Sequence, residues 1–463
     1  MIIKAKYFFI LCSSLSFFSC SKSTPLENSY SPPIVFSSVD PPQYGSPFAN
    51  VPAPQDACIY QVNIRTFSSN GNFKGVEARL DSIKALGINV IYLMPIYPVG
   101  IVKAINSPYS VRDYLMVNEE FGSLSDLRNL VDGAHSKNIA VIIDWVANHT
   151  SWDNAWLTNY KSWYSQDVNG NVISPPGTGW NDVAQLNFGN ASMRLQMIKA
   201  MKYWVLAANM DGFRCDYADG PPTDFWKQAI DTLRNISSHK LLMLAEGSRA
   251  NNFSAGFDYN FSFAYFEKLK AIYANNQSAL ALDSLNKSEY IGSSTGNEVV
   301  RYLSNHDVNG SDGTPLDLFG GRKGSMAAFV ATAYMKGVPM IYNGQEVGTP
   351  FRLTFPFTSS KIDWSINPDI SVEFKKIINF RNSSIAIRRG DLSSYSTQDV
   401  IAFTKTSGSE KVFVIANLRN KTINYSLPTN LSTSTWLDAM NGGVVPLTNQ
   451  LSLPPFTYLV LKN

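Results

Sequence analysis

The chain has 463 residues, 44% of them hydrophobic, and a formal net charge of +3. This length and apolar content suffice for one large domain and a smaller one, and they exclude a disordered chain. Lys4 and Lys6 lie in a segment that we expect to be removed, which leaves 37 basic against 36 acidic residues. No basic excess then remains to neutralise phosphates, so we expect no nucleic-acid partner.

The N-terminus has the pattern of an export signal. A basic start precedes a short apolar run, Tyr7 to Phe18, which is too short to cross a bilayer. Residues 1–19 resemble a bacterial lipoprotein signal peptide, with Cys20 as the lipidated residue. Residues 20–52 are rich in Ser and Pro and predict a flexible tether. We therefore expect an exported lipoprotein, anchored to a membrane and located in the periplasm or at the cell surface.

From Ile59 onward, apolar strands alternate with amphipathic helices, such as those predicted over 73–86, 124–137 and 370–389. A doubly wound sheet would normally show a glycine-rich phosphate loop after its first strand, and this sequence has none. The pattern instead predicts an α/β fold, a (β/α)8 barrel over residues 53–389. The predicted strands are 59–67, 88–94, 139–144, 211–216, 241–246, 257–261, 299–304 and 337–342.

Two regions extend beyond a simple barrel. Residues 148–187, after the third strand, are rich in Trp and lack periodicity, which is typical of a functional insertion or a small subdomain. Beyond the last barrel helix, short alternating segments are separated by Asn, Gly, Ser and Pro. These predict a small antiparallel β-sandwich domain at residues 390–463.

Acidic residues end four of the predicted strands. Asp144 closes the third strand, Asp216 the fourth and Glu246 the fifth, while Asp307 follows the seventh. In a (β/α)8 barrel these ends meet at one face, where repulsion and burial would be costly unless function required them. Two close carboxylates with separated pKa values are the groups that glycoside hydrolysis uses.

The fourth strand adds a cation to this cluster. Its period of two predicts Arg214 and Asp216 on one face, with Phe213 and Cys215 on the other. A neighbouring guanidinium favours the ionised form of Asp216, the state required of a nucleophile. An isolated pair of this kind is usually a structural ion pair, but the other three carboxylates favour a catalytic interpretation.

Four motifs on successive strands resemble the α-amylase family of glycoside hydrolases, and the resemblance extends from about Ala53 to the C-terminus. The motifs are Asp144-Trp-Val-Ala-Asn148-His149, Gly212-Phe-Arg214-Cys-Asp216, Leu242-Met-Leu-Ala-Glu246 and Asn305-His306-Asp307.

This resemblance implies a retaining hydrolase of α-1,4-glucosidic bonds in starch, maltooligosaccharides or related α-glucans. It implies Asp216 as nucleophile, Glu246 as general acid and base, and Asp307 as the residue that stabilises the transition state. The implied substrate-binding residues are Tyr109, Asp144, His149, Arg214, Asn305 and His306. A transglycosylase, or a family member acting on α-1,6 or cyclodextrin substrates, is the alternative. A non-catalytic glucan-binding relative is disfavoured because all three catalytic carboxylates are present.

The resemblance also implies a structural calcium ion between barrel and insertion. Asn148 and Asp182 match two ligand positions, and their oxygen atoms suit a hard cation. Gly220 stands where the family usually has His and could offer only its carbonyl. Asp219 replaces a common basic residue, so the sugar contacts next to the cleaved bond are expected to differ.

Three further residues are expected to take no part in catalysis. Cys58 and Cys215 fall on non-neighbouring predicted strands, which disfavours a disulfide. Glu346 follows the eighth strand and is expected to be a rim residue.

Overall fold

The computed structural model describes residues 39–432 and 434–463. Its centre is a closed barrel of eight parallel strands, each paired with its neighbours in sequence, with the last pairing to the first. This confirms the predicted (β/α)8 fold. The strands, labelled β1 to β8 in chain order, are Ile59–Val62, Val90–Leu93, Ala140–Val146, Gly212–Asp216, Leu242–Ala245, Tyr259–Phe261, Glu298–Tyr302 and Val338–Tyr342.

Helices connect the barrel strands and pack their apolar faces against them. The α-helices are Ile64–Phe67, Phe73–Glu77, Leu80–Ala85, Leu124–Ser136, Ala155–Asn159, Ala191–Ala208, Thr223–Arg234, Asn251–Ala255, Phe263–Asn275, Ala281–Ser288, Val308–Ser311, Pro315–Leu318, Gly321–Tyr334, Pro368–Ser383 and Ile385–Arg389. Short 3₁₀ helices cover Pro54–Asp56, Lys161–Trp163 and Gln345–Val347.

Three predicted elements are shorter than expected. The strand predicted over 59–67 stops at Val62, because β2 offers only four residues to pair with, and the chain then turns into a helix. The helix predicted over 73–86 is broken into two at Ala78 and Arg79. The helix predicted over 370–389 is interrupted by Ser384, which is extended and whose hydroxyl caps the final helix.

The insertion after β3 is built on a two-stranded antiparallel ladder, His149–Ser151 with Val183–Gln185. It is attached directly to the end of β3, so its residues lie beside the carboxyl ends of the barrel strands.

The C-terminal domain contains two antiparallel sheets. Tyr425 and Leu453 of the small sheet share a buried core with Phe413 and Trp436 of the large one, as in a sandwich. The six strands of the large sheet are, in spatial order, Asp391–Ser394, Val400–Ser407, Glu410–Asn417, Tyr458–Lys462, Thr435–Asp438 and Val444–Pro446; those of the small sheet are Ile423–Ser426 and Gln450–Leu453.

Residues 39–52 are not the flexible tether that the sequence predicts. The backbone N–H of Tyr44 donates to the Leu206 carbonyl, and the ring of Phe48 stacks on His135 with centroids 4.3 Å apart. This segment is therefore packed on two barrel helices. The predicted signal peptide, the remainder of the predicted tether and Cys20 lie outside the described residues. Within residues 39–432 and 434–463, none of the helices combines the length and apolar character that crossing a membrane requires.

Candidate active site

Strand β4 positions the centre of the site. Gly212 opens it at φ +143°, and a Cβ there would lie 1.9 Å from the Leu242 carbonyl oxygen, so only glycine fits this close approach to β5. Arg214 and Asp216 then share one face, while Phe213 packs on the other, edge-on to the Trp145 ring. The alternation predicted for this strand is confirmed.

One guanidinium joins three strands. Fully buried Arg214 lies 2.7 Å from Asp144 Oδ1 on β3 and 2.9 Å from Asp216 Oδ1 on its own strand. Its second amino group contacts Glu246, just beyond β5. The predicted pairing of Arg214 with Asp216 is therefore confirmed, and Glu246, which the sequence did not pair with it, shares the same guanidinium.

Burial dominates the protonation of the carboxylates. It raises the pKa of Asp216 well above the usual range, Glu246 adds to that rise, and Arg214 opposes it. Burial likewise raises the pKa of Glu246. A single guanidinium therefore faces several carboxylates, and burial favours the protonated forms of Asp216 and Glu246.

Tyr109 and His306 line one side of the cleft with a fixed hydrogen-bond chain. The Tyr109 hydroxyl lies 3.0 Å from Asp144 Oδ2 and 2.7 Å from His306 Nε2, and Gln61 Nε2 lies 2.8 Å from His306 Nδ1. Because Gln61 donates to Nδ1, the His306 proton is placed on Nε2. The two rings stack with centroids 5.3 Å apart and planes at 20°, and both residues line the cleft.

Both predicted histidines are neutral at neutral pH. Burial lowers the pKa of His149 and of His306 to about 4. Both line the cleft together with Tyr109, Asp216, Glu246 and Asp307, so six of the nine predicted catalytic and substrate-binding side chains meet there.

The other three predicted residues are buried behind the residues that line the cleft. Asp144 and Arg214 are completely buried, so they position their neighbours and do not reach the cleft. Asn305 is also buried, and its side-chain oxygen accepts from the backbone N–H groups of Asp307 and Val308, both at 2.9 Å. Asn305 thus shapes the turn that presents Asp307, and its contact with substrate stays a prediction.

The cleft has a volume of about 660 Å³ and includes aromatic residues that the four motifs do not contain. Trp180 comes from the insertion, Tyr217 directly follows Asp216, and Phe355 and Phe357 follow β8. Aromatic residues in loops are the available signal in the sequence, but only the fold shows which of them face the cleft.

The predicted calcium ligands do not form a set. In the ladder of His149–Ser151 and Val183–Gln185, Asn148 lies beyond one end and Asp182 beyond the other, four steps or roughly 13 Å apart along the strands. Asp182 lines the cleft instead, whereas Gly220 is next to Asn148, whose Oδ1 would be 2.9 Å from an added Cβ. Within the described ranges, no three His, Cys, Asp or Glu side chains are grouped to hold a metal.

Glu346 is not an exposed rim residue. It is buried, and its carboxylate accepts from the Tyr60 hydroxyl and, at 2.9 Å, from the Gly344 N–H. Burial raises the pKa of Glu346, so its environment is that of a structural carboxyl group. Cys58 and Cys215 are buried free thiols.

Comparison with known families agrees with this geometry. The model of the α-amylase catalytic domain matches residues 43–172 and 178–353, more than half of the chain. The chain belongs to the α-amylase family. A second model, the C-terminal domain of maltogenic amylases, matches residues 392–460, which form the β domain. The chain is thus a glycoside hydrolase of a family that acts on α-glucans.

Relatives and solved structures span nearly the whole chain. It is 25% identical to α-amylase 3 of Dictyoglomus thermophilum over 482 aligned positions, covering 89% of this chain and 94% of that protein. It is 24% identical to a cyclomaltodextrinase of Geobacillus thermopakistaniensis, covering 84% and 70%. The crystal structure of a noncanonic maltogenic α-amylase, AmyB from Thermotoga neapolitana, superposes with a TM-score of 0.79 at 23% identity, covering 89% and 99%.

Proposed function

We propose that this family member cleaves α-1,4-glucosidic bonds of starch and maltooligosaccharides with retention of configuration. The observation that carries the proposal is the placement of Asp216, Glu246 and Asp307 around one cleft, with a buried guanidinium joining the first two. Three carboxyl groups and a sugar-sized surface provide every group that double displacement requires.

In the first step, ionised Asp216 attacks the anomeric carbon while Glu246 gives its proton to the leaving oxygen. The glucosidic bond breaks and an ester to Asp216 forms. Arg214 holds Asp216 in position, and Asp307 balances the positive charge that develops on the ring. Tyr109 and neutral His306 hold the reacting sugar by stacking and hydrogen bonding.

In the second step, Glu246 acts as a base. It takes a proton from water, whose oxygen attacks the same carbon and releases Asp216. Two inversions restore the original configuration, so retention is the expected stereochemical outcome.

The test compares the wild type with Asp216→Asn on amylopectin and maltoheptaose. We expect the variant to release sugar at least about 10³-fold more slowly, because an amide cannot act as the nucleophile. Asp81→Asn, at an exposed carboxylate, is the matched control. Equal rates for the wild type and Asp216→Asn would refute the assignment, and NMR of the first-formed anomer tests retention.

A second candidate function is transfer of the glucosyl chain to another sugar, or action on cyclic substrates. Relatives named cyclomaltodextrin glucanotransferase and cyclomaltodextrinase match 75% and 84% of this chain at 26% and 24% identity. The product profile over time separates the candidates, because transfer yields chains longer than the substrate before they are degraded.

We also propose export as a lipoprotein through Cys20, which would place the cleft where extracellular glucans are available. Support comes from the signal-like first 19 residues. Incorporation of labelled fatty acid into the full chain, lost in Cys20→Ala, is the expected result. Equal labelling of both would refute this anchor.

A further inference from the structure

Two aromatic side chains form the wall of the cleft next to Glu246. Trp180 from the insertion and Tyr217 after β4 contact each other edge to face, with centroids 5.2 Å apart and planes at 80°. They are 37% and 38% exposed, and both line the cleft. Trp180 also contacts His149 edge to face, with centroids 5.5 Å apart. The parts of the Trp180 and Tyr217 rings that remain exposed to the cleft suit the apolar face of a sugar.

Tyr217 is held against the general acid. Its backbone is in the left-handed region, at φ +43°, and its N–H donates to Glu246 Oε2 at 2.8 Å. The next residue, Ala218, donates its N–H to the Glu246 carbonyl at 2.9 Å. A Tyr with a left-handed backbone is uncommon, and this conformation costs free energy. The two hydrogen bonds to Glu246 hold the backbone in it and thereby fix the position of the Tyr217 Cβ atom.

Gly220 creates the space for the Tyr217 ring. A Cβ at residue 220 would lie 2.5 Å from two carbons of that ring. A His there would therefore displace the ring. Gly220, which departs from the family pattern, therefore allows the Tyr217 ring to occupy its position.

The position of the acid decides which sugar this wall meets. Glu246 protonates the leaving oxygen, so the sugar attached through that oxygen extends past Glu246. Tyr217 is bonded to this carboxyl group, whereas the Tyr109 and His306 pair is joined to Asp144. The leaving sugar therefore passes along Trp180 and Tyr217.

We infer that Trp180 and Tyr217 form the platform that binds the leaving-side glucosyl residue, and that the same platform binds an acceptor sugar in the second step. The inference rests on the proposed function. When an acceptor is bound, its hydroxyl oxygen attacks the anomeric carbon, the bond to Asp216 breaks, and the hydroxyl proton passes to Glu246. The enzyme then elongates glucans as well as hydrolysing them.

The experiment uses two substrates that differ only in what leaves. Maltoheptaose has a leaving sugar, whereas α-maltotriosyl fluoride loses only fluoride, which is too small to touch the platform. The variants are Trp180→Ala and Tyr217→Asn, the latter because Asn tolerates the left-handed backbone. Tyr160→Ala is the control, an exposed insertion aromatic outside the cleft lining. Melting temperatures verify that each variant is folded.

We expect both variants to lower kcat/KM on maltoheptaose about tenfold or more and to leave the fluoride rate within about twofold. With maltose added as acceptor, they should also lose the transfer product that the wild type makes from the fluoride. Equal losses on both substrates, or none on either, would overturn the platform. A wild type inactive on both substrates would instead refute the proposed function.

Discussion

At the scale of single residues, the site concentrates negative charge around one cation. Arg214 touches three carboxylates, and burial raises the pKa of Asp216 and Glu246. Ionising Asp216 therefore costs free energy, because burial favours its protonated form. A proton shared between Asp216 and Glu246 is favoured for the same reason. Glu246 can act as an acid at the start of the reaction when this proton resides on Glu246 and Asp216 is ionised.

The pH profile of kcat/KM should therefore be bell-shaped with both limbs above the ordinary carboxyl range. Activity falls on the acid side as Asp216 gains a proton, and on the alkaline side as Glu246 loses one; both pKa values are raised by burial. Initial rates below saturation measure it. An acid limb at about 3.9, the ordinary Asp value, would contradict the burial effect.

The catalytic carboxylate should also lower stability. An acid with a raised pKa in the folded state loses stabilisation as pH rises from its unfolded value through its folded value. This cost is present in full once the pH exceeds the folded-state pKa of Asp216, so Asp216→Asn should raise the Tm there by about 1–3 °C. The difference should shrink as pH falls. A lower Tm at pH 7 would show that the Arg214 pairing outweighs burial.

At the scale of elements, the segment from Gly212 to Gly220 determines the site. Gly212 lets β4 approach β5, and this sets which face carries Arg214 and Asp216. The left-handed turn at Tyr217 then ends the strand against Glu246. Gly212 is required for the close approach of the β4 and β5 backbones, and Gly220 is required to leave room for the Tyr217 ring.

Gly212→Ala should destabilise the protein by about 3 kcal/mol or more, because its Cβ would collide with the Leu242 carbonyl and its φ is unfavourable for alanine. Gly408→Ala is the control: its φ is +59°, with nothing within 4 Å of an added Cβ. We expect it to cost about 1 kcal/mol. Chemical denaturation measures both. Similar losses would mean that backbone conformation, not the contact with β5, is what matters.

At the scale of the whole molecule, the β domain is bonded to the barrel through buried polar groups. Arg419 donates to the carbonyls of Ile272 and Gln277, which lie at and just beyond the end of a barrel helix, and pairs with Asp399 at 2.8 Å. Each of these carbonyls loses a donor if the guanidinium is removed.

Arg419→Ala should lower the free energy of unfolding by about 2–4 kcal/mol, because it leaves buried acceptors without partners. Lys421→Ala, at an exposed residue 3.4 Å from the same Asp399, is the matched control and should change it by less than about 1 kcal/mol. Thermal or denaturant unfolding monitored by circular dichroism provides the measurement. Equal effects of the two variants would refute the role of this contact.

Calcium is expected to have little effect on stability. Asn148 and the Gly220 carbonyl offer neutral oxygens only, because Asp182 lies at the far end of the ladder. A hard dication binds weakly without a carboxylate. The Tm should be equal in EDTA and in calcium chloride. A calcium-dependent rise that Asn148→Ala abolishes would restore the predicted site.

The sequence predicted most of the barrel because buried parallel strands are continuous apolar runs, and such runs are visible without a structure. The wrong predictions concern residues whose burial and contacts are not determined by the local sequence pattern. Residues 39–52 have a loop-like composition, yet Tyr44 and Phe48 dock on helices. Glu346 follows a strand end but turns inward.

The sequence alone determined the fold class, the family and the carboxylates at the strand ends, because these depend on residue type and on periodicity along the chain. Tertiary structure alone decided that Arg214 pairs with Glu246 as well as Asp216, that Asp182 is separate from Asn148, and that Trp180 meets Tyr217. Those relations join segments from different strands and loops. Their distances are set by barrel closure and by the path of the insertion, which spacing along the chain does not encode.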